Sequence, residues 1–376
     1  MSTLLQKRYL HQPILDDLNE KMVFLGGPRQ VGKTTFAQSL LHNIDLGYLN
    51  WDDAEQRQKI LKKDWPANQK LIVFDELHKY ARWRNLIKGY YDTQKSLHQF
   101  LTTGSARLDY YRKGGDSLMG RYHYYRMHPF SIAELDYSKS ALNDLMKFGG
   151  FPEPLLKQNE KTLRRWQLQR LERVIREDLI DLERVKEITL LEQLAEALPD
   201  RVSAPLSVKN LAQDLQIDFK TANRWITILE NLYYAFRIPP FGAPKLKAVK
   251  KEQKLYLWDW STITSEGARF ENLVASHLLK YCHFIEDTQG YKMELRFLRD
   301  VHKREIDFVV LKDKKPLFAV ECKSGEKNLS PHIPYFLERT SIPMFYQVHS
   351  GTTHRAPMKR VEILPFQEFC KKESIP

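Results

Sequence analysis

A glycine-rich loop between a strand and a helix constrains this chain more than any other feature. Gly27–Thr34 reads Gly-Pro-Arg-Gln-Val-Gly-Lys-Thr, follows the apolar run Met22–Leu25 and precedes a helical pattern that begins at Lys33. In such a setting the loop N–H groups and the helix N-terminus surround phosphate groups, and the glycines permit the tight turn. The loop therefore predicts a nucleotide-binding α/β domain.

The residue types of this loop assign separate roles. We expect Lys33 to contact the β- and γ-phosphates of ATP, and Thr34 to offer its hydroxyl to Mg²⁺. The predicted nucleotide-binding residues are Gly27, Pro28, Arg29, Gln30, Val31, Gly32, Lys33, Thr34 and Thr35.

Two acids end the next buried strand pattern. Leu71–Phe74 is apolar and is followed by Asp75 and Glu76. Ligands of open α/β sheets gather at the C-terminal ends of the strands. Two solvated acids would be the ordinary interpretation, but behind a complete phosphate loop we expect Asp75 to hold Mg²⁺, directly or through water. Glu76 would then polarise the attacking water as the catalytic base.

Two further polar segments supply weaker candidates. Ser105, with Thr103 close before it, follows the strand pattern Gln99–Thr103 and is a candidate sensor of the γ-phosphate. Arg121 is a candidate arginine finger that would neutralise charge in the transition state. A turn serine and a surface arginine are the alternatives, and the sequence leaves both open.

The strand patterns alternate with helical ones in the first part of the chain. Strands are predicted at Met22–Leu25, Leu46–Leu49, Leu71–Phe74 and Gln99–Thr103. This alternation predicts a parallel sheet covered by helices on both faces. The expected fold class is therefore α/β for an ATPase domain at 1–155, followed by a charged helical connector at 156–205.

A compact unit is predicted at 206–243. Leu206–Leu215 and Thr221–Leu232 keep helical spacing around a short break, which fits a helix-turn-helix. The side chains expected to face outward on the second helix are those of Thr221, Asn223, Arg224 and Thr227. They suit contacts with phosphates and base edges of DNA, but a lid on the nucleotide domain fits equally well.

The last segment, 244–376, contains a strand, a tight turn and a second strand. With a loop at Asp313–Lys315, Lys312 pairs with Pro316 and Asp307 falls opposite Glu321. Lys323 shares a face with Glu321 because the strand period is two. Two opposed carboxylates repel unless they are protonated or bridged by a cation, and a divalent ion held by oxygens would resolve the conflict.

The composition indicates which binding partners and which cellular location to expect. Lys and Arg exceed Asp and Glu by 59 to 47, and the formal net charge is +12. Such an excess attracts nucleic acid, although a solvated basic surface is an equal alternative. No apolar run approaches the roughly 20 residues of a membrane span, and the three cysteines lack metal-ligand spacing. We expect a cytoplasmic protein with neither membrane contact nor disulfides.

Several motifs occur together and in order. They are Gly27–Thr35, Phe74–Lys79, Thr103–Arg107, Leu118–Arg121, Pro129–Leu135 and Gly149–Glu153. As a set they resemble the bacterial and archaeal AAA-type ATPases whose C-terminal half is a domain of unknown function. The resemblance implies an AAA+-like P-loop domain, a winged-helix middle domain and a restriction-endonuclease-like C-terminal domain.

The C-terminal acids carry a second resemblance. Asp307, Glu321 and Lys323 resemble the core of the PD-(D/E)xK nuclease fold, and Glu271 resembles the acid on its first helix. That resemblance implies that Asp307, Glu321 and Glu271 serve a metal ion, and that Lys323 positions or activates water. An inactive scaffold, in which Lys323 only neutralises the acids, remains the alternative.

Together these features predict a Mg²⁺-dependent ATPase that acts as a switch or motor for a nuclease-like domain, with DNA as its partner. The first alternative is a signalling ATPase whose C-terminal half binds a protein partner, and a homo-oligomer is a separate candidate assembly. The second is a nucleic-acid-binding module in which ATP only stabilises a conformation.

Overall fold

The structure is a computed structural model that describes residues 8–104, 118–174, 188–242 and 252–376. The chain divides into two compact units, Met1–Pro129 and Phe130–Pro376. In the helices described, no segment is long and apolar enough to cross a membrane.

The first unit ends earlier than residue 155, where the sequence analysis sets the boundary. The segment that follows Pro129 packs within the second unit, where the Trp260 indole donates a 2.6 Å hydrogen bond to the Leu145 carbonyl. Phe151 lies against Trp166 with ring centroids 5.0 Å apart. Those tertiary contacts, rather than any local break in the chain, assign 130–155 to the second unit.

A parallel five-stranded sheet in the order β2-β3-β4-β1-β5 forms the centre of the first unit. Its strands are β1 (Met22–Gly26), β2 (Tyr48–Asn50), β3 (Leu71–Asp75), β4 (Gln99–Thr103) and β5 (Tyr122–Arg126). Its helices are α1 (His11–Asp17), α2 (Lys33–Ser39), α3 (Ile44–Gly47), α4 (Ala54–Lys62) and α5 (Trp83–Gln94), with a 3-10 turn at Leu77–Lys79.

The central strands of this sheet are more deeply buried than the edge strands β2 and β5. All five residues of β1 and of β3 are buried, and Phe74 stacks on Phe100 at 5.9 Å. The predicted parallel α/β fold is therefore confirmed for this unit. The sequence analysis missed β5, because its Tyr-His-Tyr-Tyr-Arg sequence has polar tips although the bodies of Tyr124 and Tyr125 are buried.

Helices open the second unit. They are α6 (Lys139–Phe148), α7 (Pro152–Lys157), α8 (Glu160–Arg173), α9 (Ile188–Ala197), α10 (Val208–Asp214) and α11 (Phe219–Asn231), with 3-10 turns at Ile132–Glu134 and Pro199–Arg201. The helices α10 and α11 lie where the helix-turn-helix is expected. The side chain of Asp218 caps α11 by accepting from the N–H groups of Lys220 and Thr221.

A two-stranded antiparallel pair follows. β6 (Ala235–Ile238) pairs with β7 (Lys254–Leu257), and Ile238 lies opposite Lys254. The boundary expected at 243 therefore falls between two strands that pair with each other. Hydrogen bonding of β6 to β7 links 206–243 to the segment that follows, which no local sequence signal indicates.

A six-stranded mixed sheet in the order β12-β13-β11-β10-β9-β8 forms the C-terminal part. Its strands are β8 (Met293–Arg299), β9 (Glu305–Lys312), β10 (Lys315–Lys323), β11 (Phe345–His349), β12 (Arg355–Met358) and β13 (Val361–Pro365). The helices are α12 (Glu266–Gln289), α13 (His332–Arg339) and α14 (Phe366–Lys372), with a 3-10 turn at Trp260–Thr262.

The turn between β9 and β10 is shorter than expected. Lys312 pairs with Lys315, not with Pro316, so the loop has two residues, and both have left-handed φ angles of 49° and 65°. An irregularity between Pro316 and Phe318 then adds one residue to β10, and Val320 pairs with Phe308. The predicted pairing next to the turn is therefore wrong, but the bulge restores the register that sets position 307 opposite 321.

Candidate nucleotide site and C-terminal acidic pocket

The phosphate-binding loop requires its glycines. Gly27 has φ 139°, and a Cβ atom there would lie 2.4 Å from the Met127 carbonyl oxygen. Gly32, at the N-cap of α2, has φ 96°. The buried Lys33 ammonium lies within the loop and donates to the carbonyls of Gly27 at 3.0 Å and Pro28 at 2.8 Å.

Asp75 is the centre of a network of hydroxyl groups at the carboxyl ends of the strands. It is 3% exposed, and its Oδ2 accepts hydrogen bonds from Thr34 at 2.8 Å and from Tyr48 at 2.6 Å. The Thr103 hydroxyl donates to Oδ1 of the same carboxylate. A hydroxyl and a carboxylate in direct contact form the oxygen donor set that Mg²⁺ takes at P-loop sites, so these residues fit the ion.

Tyr48 was not identified from the sequence. Burial, with the hydrogen bond to Asp75 next in importance, raises the pKa of the Tyr48 phenol above its ordinary value, so it stays a donor. The polar end of the Tyr48 side chain, within the predicted strand Leu46–Leu49, was the feature of the sequence that could have indicated its role. Only the order of the strands, with β2 beside β3, brings it to Asp75.

Glu76 follows Asp75 in the left-handed region, with φ 58°, and its N–H donates to the Thr103 carbonyl at 3.1 Å. Its carboxylate is 22% exposed and lies 3.4 Å from the Lys79 ammonium and 3.6 Å from Nε2 of His78. Burial raises the pKa of Glu76, the charge of Lys33 opposes that rise, and the charge of Asp75 adds to it. The net effect is a carboxylate that accepts a proton more readily than an ordinary glutamate.

The structure does not bring Arg121 to the phosphate loop of its own chain. Arg121 precedes β5, and β5 runs parallel to β1 with Met22 opposite Tyr122 and Gly26 opposite Arg126. The loop follows the other end of β1, so the length of the sheet, about 16 Å, separates the two. Arg121 instead pairs with Asp92 at 2.8 Å. Ser105, the candidate sensor, lies outside the described residues.

The outward face of α11 is partly covered by a neighbouring arginine. Asn223, Arg224 and Thr227 are exposed and Thr221 is half-buried. Arg237 of β6 donates to Asn223 Oδ1 at 3.1 Å and to Thr227 Oγ1 at 3.3 Å, and its Nη2 lies 2.6 Å from Glu230. Arg224 is exposed on this face, and the side chains of Thr221, Asn223 and Thr227 each hydrogen-bond within the protein.

The C-terminal acids lie close together, as the register predicts. Asp307 accepts from the backbone N–H of Cys322 at 2.8 Å through Oδ2, which joins β9 to β10 beside Glu321. The Lys323 ammonium lies 2.7 Å from Oε1 of Glu321. On α12, Glu271 accepts from the Tyr256 hydroxyl at 2.7 Å.

A lysine that the sequence analysis missed stands among these acids. Lys254 is 0% exposed, and its Nζ lies 2.5 Å from Glu305, 3.1 Å from Glu271 and 3.3 Å from Asp307. Nothing local distinguishes Lys254 from its basic neighbours in the sequence. Glu305 could have been found, because it precedes Asp307 by two and so shares its face of β9.

Burial dominates the titration of the pocket. It raises the pKa of Glu271 to about 8, with the charge of Asp307 adding to the rise and that of Lys254 opposing it. It also raises the pKa of Glu321 to about 7, where Asp307 adds and Lys323 opposes. Burial alone would lower the pKa of Lys254, but the charges of Asp307, Glu271 and Glu305 raise it above its ordinary value. The surrounding acids therefore favour the charged form of Lys254.

This arrangement departs from the metal site expected for Asp307, Glu321 and Glu271. Across the described ranges, no group of three or more His, Cys, Asp or Glu side chains is placed to hold a metal ion. Glu271 and Asp307, together with Glu305, converge on the ammonium of Lys254 instead, and Glu321 pairs with Lys323. A resident divalent ion does not fit the pocket in this conformation.

Comparison with known families identifies the first unit. Residues 19–136 match a family model described as an AAA domain. The chain carries an AAA-type P-loop ATPase domain. The match supports ATP binding and hydrolysis by this domain, usually with Mg²⁺. Beyond the AAA domain, residues 139–265 and 266–369 match two domains of unknown function, DUF8612 and DUF4143.

Two similar proteins extend the comparison beyond the AAA domain. The uncharacterized protein MJ1544 of Methanocaldococcus jannaschii is 23% identical over 347 residues, which span 82% of this chain and 76% of that protein. A solved structure of the Aeropyrum pernix ORC1 protein in complex with DNA aligns with 73% of this chain and 96% of its own, at 10% identity and a TM-score of 0.34.

Proposed function

We propose that this protein binds ATP with Mg²⁺ through its AAA domain and hydrolyses it. The observation that carries the proposal is the direct contact of Thr34 Oγ1 with Asp75 Oδ2, beside a loop that holds Lys33. This is the donor pair that P-loop ATPases offer to the metal, and it stands at the carboxyl edge of a parallel sheet.

Each residue of the site has a separate proposed role. Mg²⁺ held by Thr34 and Asp75 would neutralise charge on the β- and γ-phosphate oxygens. Lys33 would hold the same phosphates by charge-assisted hydrogen bonds. Glu76 would accept a proton from the attacking water, for which its raised pKa is suited because the best catalytic base titrates near the working pH.

Two substitutions separate binding from hydrolysis. Glu76→Gln should bind ATP as the wild type does and lose roughly 10²–10⁴-fold in turnover, because the amide has the same shape but accepts no proton. Lys33→Ala should lose tight binding. Glu55→Gln, at an exposed position of α4, is the matched control. Binding of a fluorescent ATP analogue and phosphate release give the two readouts.

Each variant has an outcome that would contradict the proposal. Wild-type turnover in Glu76→Gln would mean that another group activates the water. Unchanged ATP affinity in Lys33→Ala would reject the phosphate loop as the nucleotide site.

For the remainder of the chain we propose a winged helix, made of α10, α11, β6 and β7, and a PD-(D/E)xK-like scaffold around β9 and β10. The register that sets Asp307 opposite Glu321, with Lys323 on the same face, supports the second assignment. The contact of Lys254 with three carboxylates favours a scaffold that does not cleave. ATP turnover would then act as a switch for a binding module, with DNA as the proposed partner of the basic surface.

Incubation with plasmid DNA and Mg²⁺ or Mn²⁺ tests the non-cleaving scaffold. The wild-type chain without nucleotide should leave the plasmid intact. Metal-dependent cleavage that is lost in both Asp307→Ala and Lys323→Ala, with ATPase activity near normal, would instead establish an active nuclease.

A further inference from the structure

Three carboxylates from two structural elements converge on a single buried ammonium. Glu271 belongs to α12, whereas Glu305 and Asp307 belong to β9. The ammonium is that of Lys254, the first residue of β7, so it reaches the pocket from the β6–β7 pair rather than from the sheet that carries the acids. The pocket is therefore closed by a residue from a different sheet.

The distances identify the position of Lys254 Nζ as a cation position. The Nζ–O separations of 2.5, 3.1 and 3.3 Å are those of ammonium–carboxylate pairs, whereas Mg²⁺ needs oxygens at about 2.1 Å and Ca²⁺ at about 2.4 Å. A divalent ion bridging Glu271 and Asp307 would occupy the space in which Nζ stands. The ammonium and such an ion exclude each other.

Among the residues that the structure describes, the other cations beside these acids pair at the rim of the pocket. Arg299 lies 2.9 Å from Oε2 of Glu305, and Lys323 lies 2.7 Å from Glu321. Both Glu271 and Asp307 direct an oxygen at Lys254. Removing the Lys254 ammonium would leave these two without that counter-charge in a buried setting, which is costly unless they are protonated or bind another cation.

We propose that Lys254 is the resident cation of this pocket and that it excludes divalent metal ions for as long as β7 holds its ammonium against Glu271, Glu305 and Asp307. Displacing the β6–β7 pair would then turn Glu271, Glu305 and Asp307 into a site for Mg²⁺ or Mn²⁺. The inference depends only on the geometry around Lys254, and it holds whether or not the AAA domain hydrolyses ATP.

The β6–β7 pair also connects this pocket to the helices α10 and α11. Arg237 of β6 bonds to Glu230 of α11, and in the neighbouring strand Lys254 bonds to the pocket acids. A partner that engages α11 and moves β6 would therefore also move the lysine. Binding of a partner to α10 and α11 would in this way control whether a metal ion can bind to the acids of the pocket.

Replacing the ammonium with an apolar side chain of similar length is the direct test. In the full chain without nucleotide, Lys254→Met should be less stable than the wild type at neutral pH and should gain one Mn²⁺ site, seen by electron paramagnetic resonance. Mn²⁺ should raise its melting temperature, because a ligand that binds only the folded state stabilises it. The wild type should gain neither the site nor the shift.

Second substitutions assign the Mn²⁺ signal. Lys254→Met with Asp307→Asn should lose the new site, whereas Lys254→Met with Asp75→Asn should keep it, because Asp75 belongs to the AAA domain. Lys254→Arg keeps a cation and should behave as the wild type does towards Mn²⁺.

Two results would overturn the proposal. A folded Lys254→Met chain that binds no Mn²⁺ would show that the acids are not a latent metal site. A wild-type chain that binds one Mn²⁺, with the site lost in Asp307→Asn, would show that Lys254 does not exclude the metal. The second measurement needs only the wild type and Asp307→Asn, so the exclusion of metal by Lys254 can be refuted even if Lys254→Met fails to fold.

Discussion

Thr34 donates a hydrogen bond of 2.8 Å from its Oγ1 to Oδ2 of Asp75, an atom that also accepts from the Tyr48 hydroxyl at 2.6 Å. The helix that follows the phosphate loop is thereby tied to strand β3, which is separated from β1 by β4 in the sheet. Because both donors meet one carboxylate oxygen, the orientation of Asp75 depends on Tyr48 as well as on Thr34. Tyr48 is thus a positioning residue for the proposed Mg²⁺ site.

The first prediction concerns Mg²⁺ and this carboxylate. Asp75→Asn should raise the Mg²⁺ concentration needed for ATP binding, because the amide removes the negative charge. Tyr48→Phe should raise it less, by about tenfold, as expected for the loss of a second partner of a metal ligand. ATP affinity measured across a Mg²⁺ titration checks both. A larger effect from Tyr48→Phe than from Asp75→Asn would contradict this order.

The second prediction concerns pH and turnover. Glu76 must be ionised to accept a proton, and its pKa is raised, first by burial. Turnover should therefore fall on acidification at a pH above the ordinary glutamate value of 4.5. The pH profile of kcat under saturating ATP and Mg²⁺ measures this fall in turnover. In the control, Glu55→Gln, the fall should occur at the same pH as in the wild type. A fall that occurs only at or below pH 4.5 would count against Glu76 as the base.

The third prediction concerns Arg121, which lies at the sheet edge opposite the phosphate loop. Arg121→Ala should leave ATP affinity unchanged, as should Arg82→Ala at an exposed arginine of the same unit. If Arg121 acts as a finger, it acts on nucleotide bound to a second copy. Mixing Arg121→Ala chains with Lys33→Ala chains would then restore turnover that neither has alone. Loss of ATP affinity in dilute Arg121→Ala protein would contradict the placement.

The fourth prediction concerns nucleic acid. Affinity for duplex DNA should fall steeply between about 50 and 200 mM salt, because each neutralised phosphate releases counterions. Arg224→Ala, on the exposed face of α11, should weaken binding and lower the salt slope by about one. Arg165→Ala, an exposed arginine on α8, is the matched control. Equal affinities for both variants and the wild type would favour the lid interpretation of α10 and α11.

The fifth prediction concerns a buried histidine in the second unit. Nε2 of His277 accepts from the Ile132 N–H at 3.0 Å, and Nδ1 faces the Leu273 carbonyl at 2.8 Å, so the ring is neutral with its proton on Nδ1. Burial lowers the pKa of His277 from 6.5 to about 3. Below pH 6.5 the unfolded chain takes up a proton that the folded chain refuses, so stability should fall as the pH falls from about 6.5 towards 3.

The slope attributable to His277 is at most about 1.4 kcal/mol per pH unit. Denaturant unfolding of the full chain at several pH values measures it. His277→Gln offers an oxygen to the Ile132 N–H without titrating, and it should flatten this part of the profile. An unchanged slope in that variant would assign the acid sensitivity to other groups.

Local patterns predicted the phosphate loop of the first unit and the two strands that carry its proposed site, but not β5. The apolar runs before Gly27 and Asp75 predicted β1 and β3, and the spacing of the loop predicted which residues surround phosphate. These features can be predicted from the sequence because the residues of a phosphate loop lie next to one another in one strand, one turn and one helix. The approach of Thr34 to Asp75 follows from the parallel sheet, since both stand at its carboxyl edge.

The sequence predicted only part of the acidic pocket. Counting outward from the expected turn set Asp307 opposite Glu321, although a bulge rather than the expected loop length produces that register. Lys254 could not be found in this way, because its partners are 17, 51 and 53 residues away in the chain. A buried ion pair between distant residues leaves no periodic signal, so only the packing of β7 against the C-terminal sheet decides which cation fills the pocket.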